Sequence, residues 1–234
     1  MATRLYFLLS FLPTLPPLGE SPPITIEEVL RIIKDERVEE ARILADAFDF
    51  EAQLMKAAYL RLLGYSASDT ADSFSFDRTV PPFIDEIFLK DPRVVGEDAW
   101  FTELWSEHLD FLEEVGKLVG SPLLWRYAKW ERSLRDQLAI LRRPPEAEAQ
   151  APTVSGDKWD HRPLLADWRA APDPMAGERL LDKARLKFID EKSQRYSFRI
   201  DELTAYFLKL GLLARHARLQ REEGLRTLEE VTAL

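Results

Sequence analysis

The spacing of the apolar residues constrains the fold most, because it follows a helical period in several long segments. In the segment EDAWFTELWSEHLDFLEEVGKLVG, one set of positions recurs at steps of three and four residues, with acidic residues in the first turn. Such steps place side chains on one side of an α-helix, and Gly120 suits the position just after the helix end. The positions on this face are Phe101, Leu104, His108, Phe111, Val115 and Leu118.

Further segments repeat the period, and residues at their ends favour helix termini. Thr25 with Glu28 three residues later has the pattern of a capping box, and Ser121 before Pro122 has that of an N-cap followed by proline at the first helical position. Residues 200–217 carry two apolar stripes, which predicts a helix covered on two sides. The stripe predicted for residues 41–64 consists of Leu44, Phe48, Ala52, Met55, Tyr59 and Leu62.

No part of the sequence shows the strand pattern of alternating apolar and polar residues with hairpin turns. The chain has only 9 glycines and long stretches rich in Leu, Ala, Glu and Arg, a composition typical of helical proteins. The sequence therefore predicts an all-α fold of long antiparallel helices. A short strand remains an alternative for the first dozen residues.

The apolar run of residues 5–12 raises a separate question, because a secretion signal also begins with a basic residue and an apolar segment. A signal needs a cleavage site between small residues, whereas this run is followed by Pro13, Pro16 and Pro17. It is also far shorter than the roughly 20 residues that span a bilayer. We expect residues 5–12 to belong to the folded protein, as a buried strand or a short helix.

One segment has the composition of a linker. Residues 144–157 contain three prolines with small and acidic residues and little to bury. The sequence predicts an N-terminal helical lobe over residues 1–143 and a C-terminal helical lobe over residues 158–234, joined as one continuous domain.

Composition and charge limit the classes of function that the chain can have. A net charge of −9 and a pI near 5.0 argue against nucleic acid as a partner. The chain has no cysteine, so thiolate catalysis, thiolate metal sites and disulfides are excluded, which suits a cytoplasmic protein. No later segment reaches transmembrane length, so we expect no direct membrane insertion and a membrane association only through a partner.

Catalytic patterns are scarce, since the chain has only 3 histidines. His108 lies on an apolar stripe and is predicted to be a core histidine with a hydrogen-bond partner. Neither it nor His216 follows a glutamate by three residues, as a metal-binding bundle would require. Asp160 and His161 are adjacent in a loop without a nucleophile pattern, and no glycine-rich phosphate loop is present. We therefore expect no catalytic, cofactor-binding or metal-binding residues and no enzymatic activity.

Glu131 lies beside an apolar face between Tyr127 and Leu134, with Arg135 four residues later. One interpretation is an ion pair on the helix surface worth a few tenths of a kcal/mol. The other is a partly buried pair that fixes the register of the helix. The tryptophans, by contrast, are expected to be core anchors more often than partner contacts.

Both ends of the chain carry extended motifs. In the stretch YFLLSFLPTLPPLGESPPITIEEVL, an aromatic-apolar run ends in Leu-Pro before a Pro-Pro pair and a helix. This stretch resembles the opening of a bacterial family of unknown function encoded in operons for V-type ATPases. The stretch WRAAPDPMAGERLLDKARLKFIDEKSQRYSFRIDELTAYFLKLGLLAR, with EEG at residues 222–224, is similar to its C-terminal pattern. The chain departs from the family at Arg135-Asp136 and at Ala214-Arg215-His216.

That family is similar to the C subunit of V-type ATPases, called d in eukaryotes, and the resemblance carries expectations of its own. It implies an elongated helical funnel built from three related units, with Glu131 of YAKWERSLRDQLAILRR in the place of a recurring acid. It also implies a non-catalytic protein of the cytoplasmic membrane face that couples the central stalk to the membrane rotor ring. The alternative is a free-standing helical regulatory or assembly protein that binds one protein partner.

Overall fold

The computed structural model describes residues 2–34, 38–66, 70, 74, 81, 83–142 and 159–218, with the backbone alone for residues 2–4 and 218. These residues form helices and no strand, so the predicted all-α fold is confirmed for the described part. Among them, no helix combines the length and the apolar character that crossing a bilayer requires. The helices are α1 (Ala2–Phe11), α2 (Ile26–Lys34), α3 (Glu39–Leu62), α4 (Phe83–Leu89), α5 (Pro92–Val95), α6 (Glu97–Leu118), α7 (Pro122–Arg142), α8 (Arg162–Arg169), α9 (Pro174–Lys192) and α10 (Ile200–Arg218).

The apolar run near the start of the chain forms α1, so the short-helix alternative is confirmed and the strand is wrong. Leu5 and Leu8 on its inner face, with Leu12 directly after its end, are buried in the main core at helical spacing. A strand would have buried alternate residues instead, but Phe7 and Phe11 are exposed. The hydroxyl of Tyr206 on α10 donates to the Pro13 carbonyl at 3.0 Å, which fixes the end of α1 against α10.

Two predicted helix starts have their expected caps. The Thr25 amide donates to Glu28 Oε2 at 2.8 Å, and the Glu28 amide donates to Thr25 Oγ1 at 3.2 Å, so the capping box is confirmed. At the start of α7, Ser121 Oγ accepts from the Leu124 amide at 3.2 Å. Asp201 at the start of α10 adds a long-range cap, because its Oδ1 accepts from the Leu123 amide at 3.0 Å.

The central hairpin consists of α6 and α7, which pack side by side over much of their length. A Cβ atom added at Gly116 would lie 2.7 Å from the Trp125 backbone nitrogen. Only glycine permits this close approach of the two helices. Gly120 then ends α6 with a φ of +68°, as its sequence position predicts.

The buried apolar side chains form two clusters. The main core contains both stripes of α10, which confirms a helix covered on two sides, and Phe207 of α10 stacks on Phe48 of α3 with ring centroids 4.8 Å apart. A smaller cluster joins the second half of α3 to α4 and α6, with Phe50 and Trp100 fully buried. The Trp100 indole also donates to the Ile87 carbonyl at 3.0 Å.

The stripe predicted for α3 is correct only in its first half. Leu44 and Phe48 are buried, but Met55 and Tyr59 are exposed, Tyr59 at 61%. The second half of α3 instead turns Phe50, Leu54, Ala57 and Ala58 towards the smaller cluster. The helix therefore has a second apolar face, which the described residues leave exposed.

Helices from both sides of residues 143–158 contribute to the main core, because α7 packs against α9 and α10. The predicted linker of residues 144–157 and the EEG segment of residues 222–224 lie outside the described residues. The division into two lobes joined by that linker stays a prediction.

Candidate functional site

Glu131 lies on the buried side of α7, where the helical period otherwise brings apolar residues. Its side chain is only 3% exposed, one turn from Tyr127 and Leu134, which are also buried. Burying a carboxylate is costly unless it is paired and hydrogen-bonded. The surroundings of Glu131 therefore hold the strongest candidate for a functional site.

Two guanidinium groups hold the Glu131 carboxylate. Arg185 of α9 donates from Nε to Oε2 at 2.9 Å and from Nη2 to Oε1 at 2.8 Å. Arg135, one turn along α7, donates from Nε to Oε1 at 2.8 Å. The interpretation as a surface ion pair is thus wrong and that as a partly buried pair is right, since Glu131 is 3% exposed and Arg135 is 36% exposed. Arg185, the bidentate partner, lies on another helix, and the spacing of Glu131 and Arg135 along the chain does not predict it.

The ion pairs continue from α9 to α10. Arg185 Nη1 donates to Asp182 Oδ1 at 2.8 Å, and Arg215 Nη1 of α10 donates to the same oxygen at 3.1 Å. Arg215 also donates to Glu178 of α9. We call this set the charge network; its members are Glu131, Arg135, Glu178, Asp182, Arg185 and Arg215.

The charge network contains three carboxylates and three guanidinium groups, so its formal charges balance. Burial raises the pKa of Glu131, but Arg185 and Arg135 outweigh burial and lower it to about 2. Burial lowers the pKa of Arg185, and Glu131 more than reverses this. Burial, with a smaller contribution from Glu131, raises the pKa of the neighbouring Tyr127.

The arrangement is suited to fixing helices relative to one another. At neutral pH a carboxylate with a pKa near 2 holds no proton to transfer, and its oxygens are occupied by the two arginines. Sliding α9 along α7 would unpair buried charges, and separating a buried pair costs about 3–5 kcal/mol. The charge network therefore favours one register of α7, α9 and α10.

His108 is buried among the rings of Phe50, Trp105 and Phe111, which confirms its core position. The predicted hydrogen-bond partner is not found within the described residues. The nearest carboxylate oxygen, on Glu51, lies 3.9 Å from Nε2, which is beyond hydrogen-bonding distance.

Asp160 and His161 are adjacent in sequence, but the structure turns them to different partners. Asp160 is exposed and accepts from Arg162 Nε and Nη2, both at 2.8 Å. His161 is buried, with its ring against Trp130 and Nε2 within 3.0 Å of Ser133 Oγ on α7. The two side chains do not form the base and orienting acid of a catalytic pair. Instead, His161 attaches the start of α8 to α7.

Features of other kinds of binding site are few. No cluster of three or more metal-ligating side chains occurs within the described ranges. An open groove lies beside α2, lined by Pro13, Pro23, Ile24, Glu28, Arg31 and Ile32. Trp100 and Trp130 are core anchors, whereas Trp105 and Trp125 are half-buried.

Comparison of the chain with protein-family models, with curated proteins and with solved structures finds no match.

Proposed function

We propose that the chain is a non-catalytic coupling protein similar to the C subunit of V-type ATPases, which binds the central stalk and the membrane rotor ring. The proposal rests on the resemblance of both ends of the sequence to the family found in V-type ATPase operons. Such a protein acts on the cytoplasmic face of the membrane and reaches the membrane through the assembled complex.

The charge network is the observation that best supports this proposal. The resemblance places Glu131 at a recurring acid, and here Glu131 joins α7 to α9 through a bidentate pair. A protein that transmits torque needs helices that do not slide under load. Glu131, Asp182 and Arg185 are the buried members of the network. They oppose sliding, because a shift in register would separate the buried pair of Glu131 and Arg185.

Affinity purification from membranes of the native host tests the proposal. The tagged full-length chain is extracted in mild detergent, and the proteins that copurify are identified by mass spectrometry. We expect stalk and rotor-ring subunits of a V-type ATPase in fixed proportion to the chain. A single unrelated protein would instead favour the free-standing regulatory or assembly protein, and no copurifying protein would contradict both.

A variant of the charge network tests the mechanical part of the proposal. In the purified assembly, Arg185→Met should lower the number of ions moved for each ATP hydrolysed, because α9 loses its fixed register on α7. Glu191→Gln removes an exposed carboxylate of α9 and is the matched control. Unchanged coupling in a folded, assembled Arg185→Met variant would contradict the role of the network in transmission.

A further inference from the structure

The outer face of α1 is apolar and aromatic although it is exposed. Tyr6, Phe7 and Phe11 all lie on this face, and Phe11 is 77% exposed. The opposite face carries Leu5 and Leu8, which enter the main core together with Leu12 directly after the helix end. Because α1 is thus fixed to the protein by its inner face, its outer face is presented in a defined orientation.

A positively charged segment lies beside this face. The segment consists of residues 192–199 and meets α1 at Phe198, whose ring contacts the Tyr6 ring with centroids 4.7 Å apart. Lys192, Arg195 and Arg199 of this segment are exposed and form no ion pair within the described residues.

The acidic residues that flank this segment are all engaged by other groups. Asp190 pairs with Lys209, and Glu191 lies 3.9 Å from Lys187. Asp201 caps α7, and Glu202 accepts from two backbone amides. Asp201 and Glu202 keep their charge but are half-buried, whereas the three cations of the segment are exposed. On a chain with a net charge of −9, the exposed charge of this segment is therefore positive.

The backbone of the segment is strained in a way that exposes a further aromatic ring. Tyr196 and Phe198 have φ angles of +58° and +51°, values that bulky residues rarely adopt. The Glu202 carboxylate stabilises both, because it accepts from the Tyr196 amide at 2.9 Å and from the Phe198 amide at 2.8 Å. Tyr196 is left 81% exposed. Such strain persists where the surrounding structure enforces it and is found at functional sites.

We propose that this aromatic-basic surface binds the headgroup region of an anionic lipid bilayer. We define the surface as Tyr6, Phe7, Phe11, Lys192, Arg195, Tyr196 and Arg199. Tyrosine and phenylalanine side chains favour the boundary between headgroups and acyl chains, and nearby lysines and arginines are attracted to anionic lipid. The ten residues of α1 extend about 15 Å, too short to cross a hydrocarbon core of about 30 Å. Since its inner face is held in the main core, α1 would lie along the membrane surface with its outer face towards the lipid.

This proposal goes beyond the coupling function and does not depend on it. It also differs from the sequence-based expectation that membrane association is only indirect. A lipid surface fits better than a protein groove, because several exposed rings combine with unpaired long cationic side chains, the composition of membrane-surface helices. The remaining charge of the chain is negative, so attraction to anionic lipid requires this surface to face the membrane.

Vesicle sedimentation of the full-length protein tests the proposal. We expect binding to vesicles of phosphatidylglycerol with phosphatidylcholine, little binding to phosphatidylcholine alone, and weaker binding in high salt. The variant Lys192→Glu/Arg195→Glu/Arg199→Glu should bind at least about tenfold more weakly, and Phe7→Ser/Phe11→Ser should also lose most binding. Matched controls are Lys187→Glu and Val94→Ser/Leu118→Ser, which change exposed residues elsewhere. Each variant is first checked for unchanged helix content and melting temperature.

A site-specific fluorophore supplies a second readout, since the chain has no cysteine of its own. A polarity-sensitive dye on Phe11→Cys should shift to the blue on adding anionic vesicles, and the same dye on Val94→Cys should not. The proposal is overturned if the protein fails to bind anionic vesicles, as a protein-binding surface would. It is also overturned if both dyes shift equally, or if the charge-reversal variant binds like the unaltered protein.

Discussion

Arg185 of α9 donates to both carboxylate oxygens of Glu131 on α7, across a sequence separation of 54 residues. The pair joins helices that lie on either side of residues 143–158. Through Asp182 and Arg215, the same charges reach α10. The register of α7, α9 and α10 relative to one another therefore depends on a few buried charges as well as on apolar packing.

The pKa of Glu131 predicts how the protein responds to acid. The folded-state pKa is lowered from an ordinary 4.5 to about 2, so its contribution to stability is complete above about pH 4.5 and lost as the pH falls towards 2. The variant Glu131→Gln removes the bidentate partner of Arg185, which then keeps only Asp182 as an ion-pair partner. It should lower the free energy of unfolding at neutral pH by about 3–5 kcal/mol. The free energy of unfolding of this variant should also depend less on pH in the acid range, because the variant lacks the Glu131 carboxylate. Urea denaturation at a series of pH values, followed by circular dichroism, measures both effects.

The matched control for this experiment is Glu191→Gln, which removes an exposed carboxylate 3.9 Å from Lys187. Its free energy of unfolding should stay within about 0.5 kcal/mol of the unaltered protein. If Glu131→Gln behaved like this control at every pH, the charge network would contribute no net stability.

Asp201 is predicted to stabilise a helix other than its own. Its Oδ1 accepts from the Leu123 amide at 3.0 Å and from the Ser121 hydroxyl at 2.6 Å, so Asp201→Ala should cost about 1–2 kcal/mol through the start of α7. Asp98→Ala, in the exposed first turn of α6, is the control for loss of a helix-dipole charge alone. Hydrogen exchange should locate the loss of protection in the first turn of α7. A loss confined to α10 would mean that Asp201 acts only on its own helix.

Local patterns predict the helices and their caps well, because these depend on residues within one or two turns. Thr25 and Glu28 form their capping box, and Gly120 ends α6, as their spacing indicates. The pairing of Glu131 with Arg185 depends on how two distant helices pack, which spacing along the chain does not specify. A partial signal exists, since Asp182 and Arg185 interrupt the apolar stripe of α9 formed by Leu181, Phe188 and Ile189.

Errors in the predicted faces have a related cause. Nearly every residue from Leu5 to Leu12 is apolar. The period of a strand therefore cannot be distinguished from that of a helix in this segment. In the second half of α3, two apolar stripes compete. The smaller cluster decides between them, because Phe50 and Leu54 pack against α4 and α6, a contact that the sequence of α3 alone does not show.

The buried face of α3 can be checked by paired substitutions. Leu54 is fully buried, so Leu54→Ala should lower the free energy of unfolding by about 2–5 kcal/mol. Tyr59→Ser, on the exposed face, should change it by no more than about 0.5 kcal/mol. Thermal and urea denaturation of the two variants measure these values. If Tyr59→Ser lowered the free energy of unfolding more than Leu54→Ala, the buried face would instead be the predicted stripe through Met55 and Tyr59.

The last prediction concerns α1, whose two faces have different roles. Leu8 is fully buried in the main core, so Leu8→Ala should cost about 2–5 kcal/mol, whereas Phe7→Ala should leave the free energy of unfolding nearly unchanged. Deleting residues 2–12 removes Leu5, Leu8 and Leu12 together, each worth roughly 1.5–3 kcal/mol when buried. Since a domain is stable by only about 5–15 kcal/mol, the truncated protein should be insoluble or rapidly degraded. Melting curves of the two point variants and the solubility of the truncation provide the measurements. A fully stable truncation would show that α1 is dispensable for the fold. A destabilising Phe7→Ala with a neutral Leu8→Ala would mean that alternate residues are buried, as in the strand alternative.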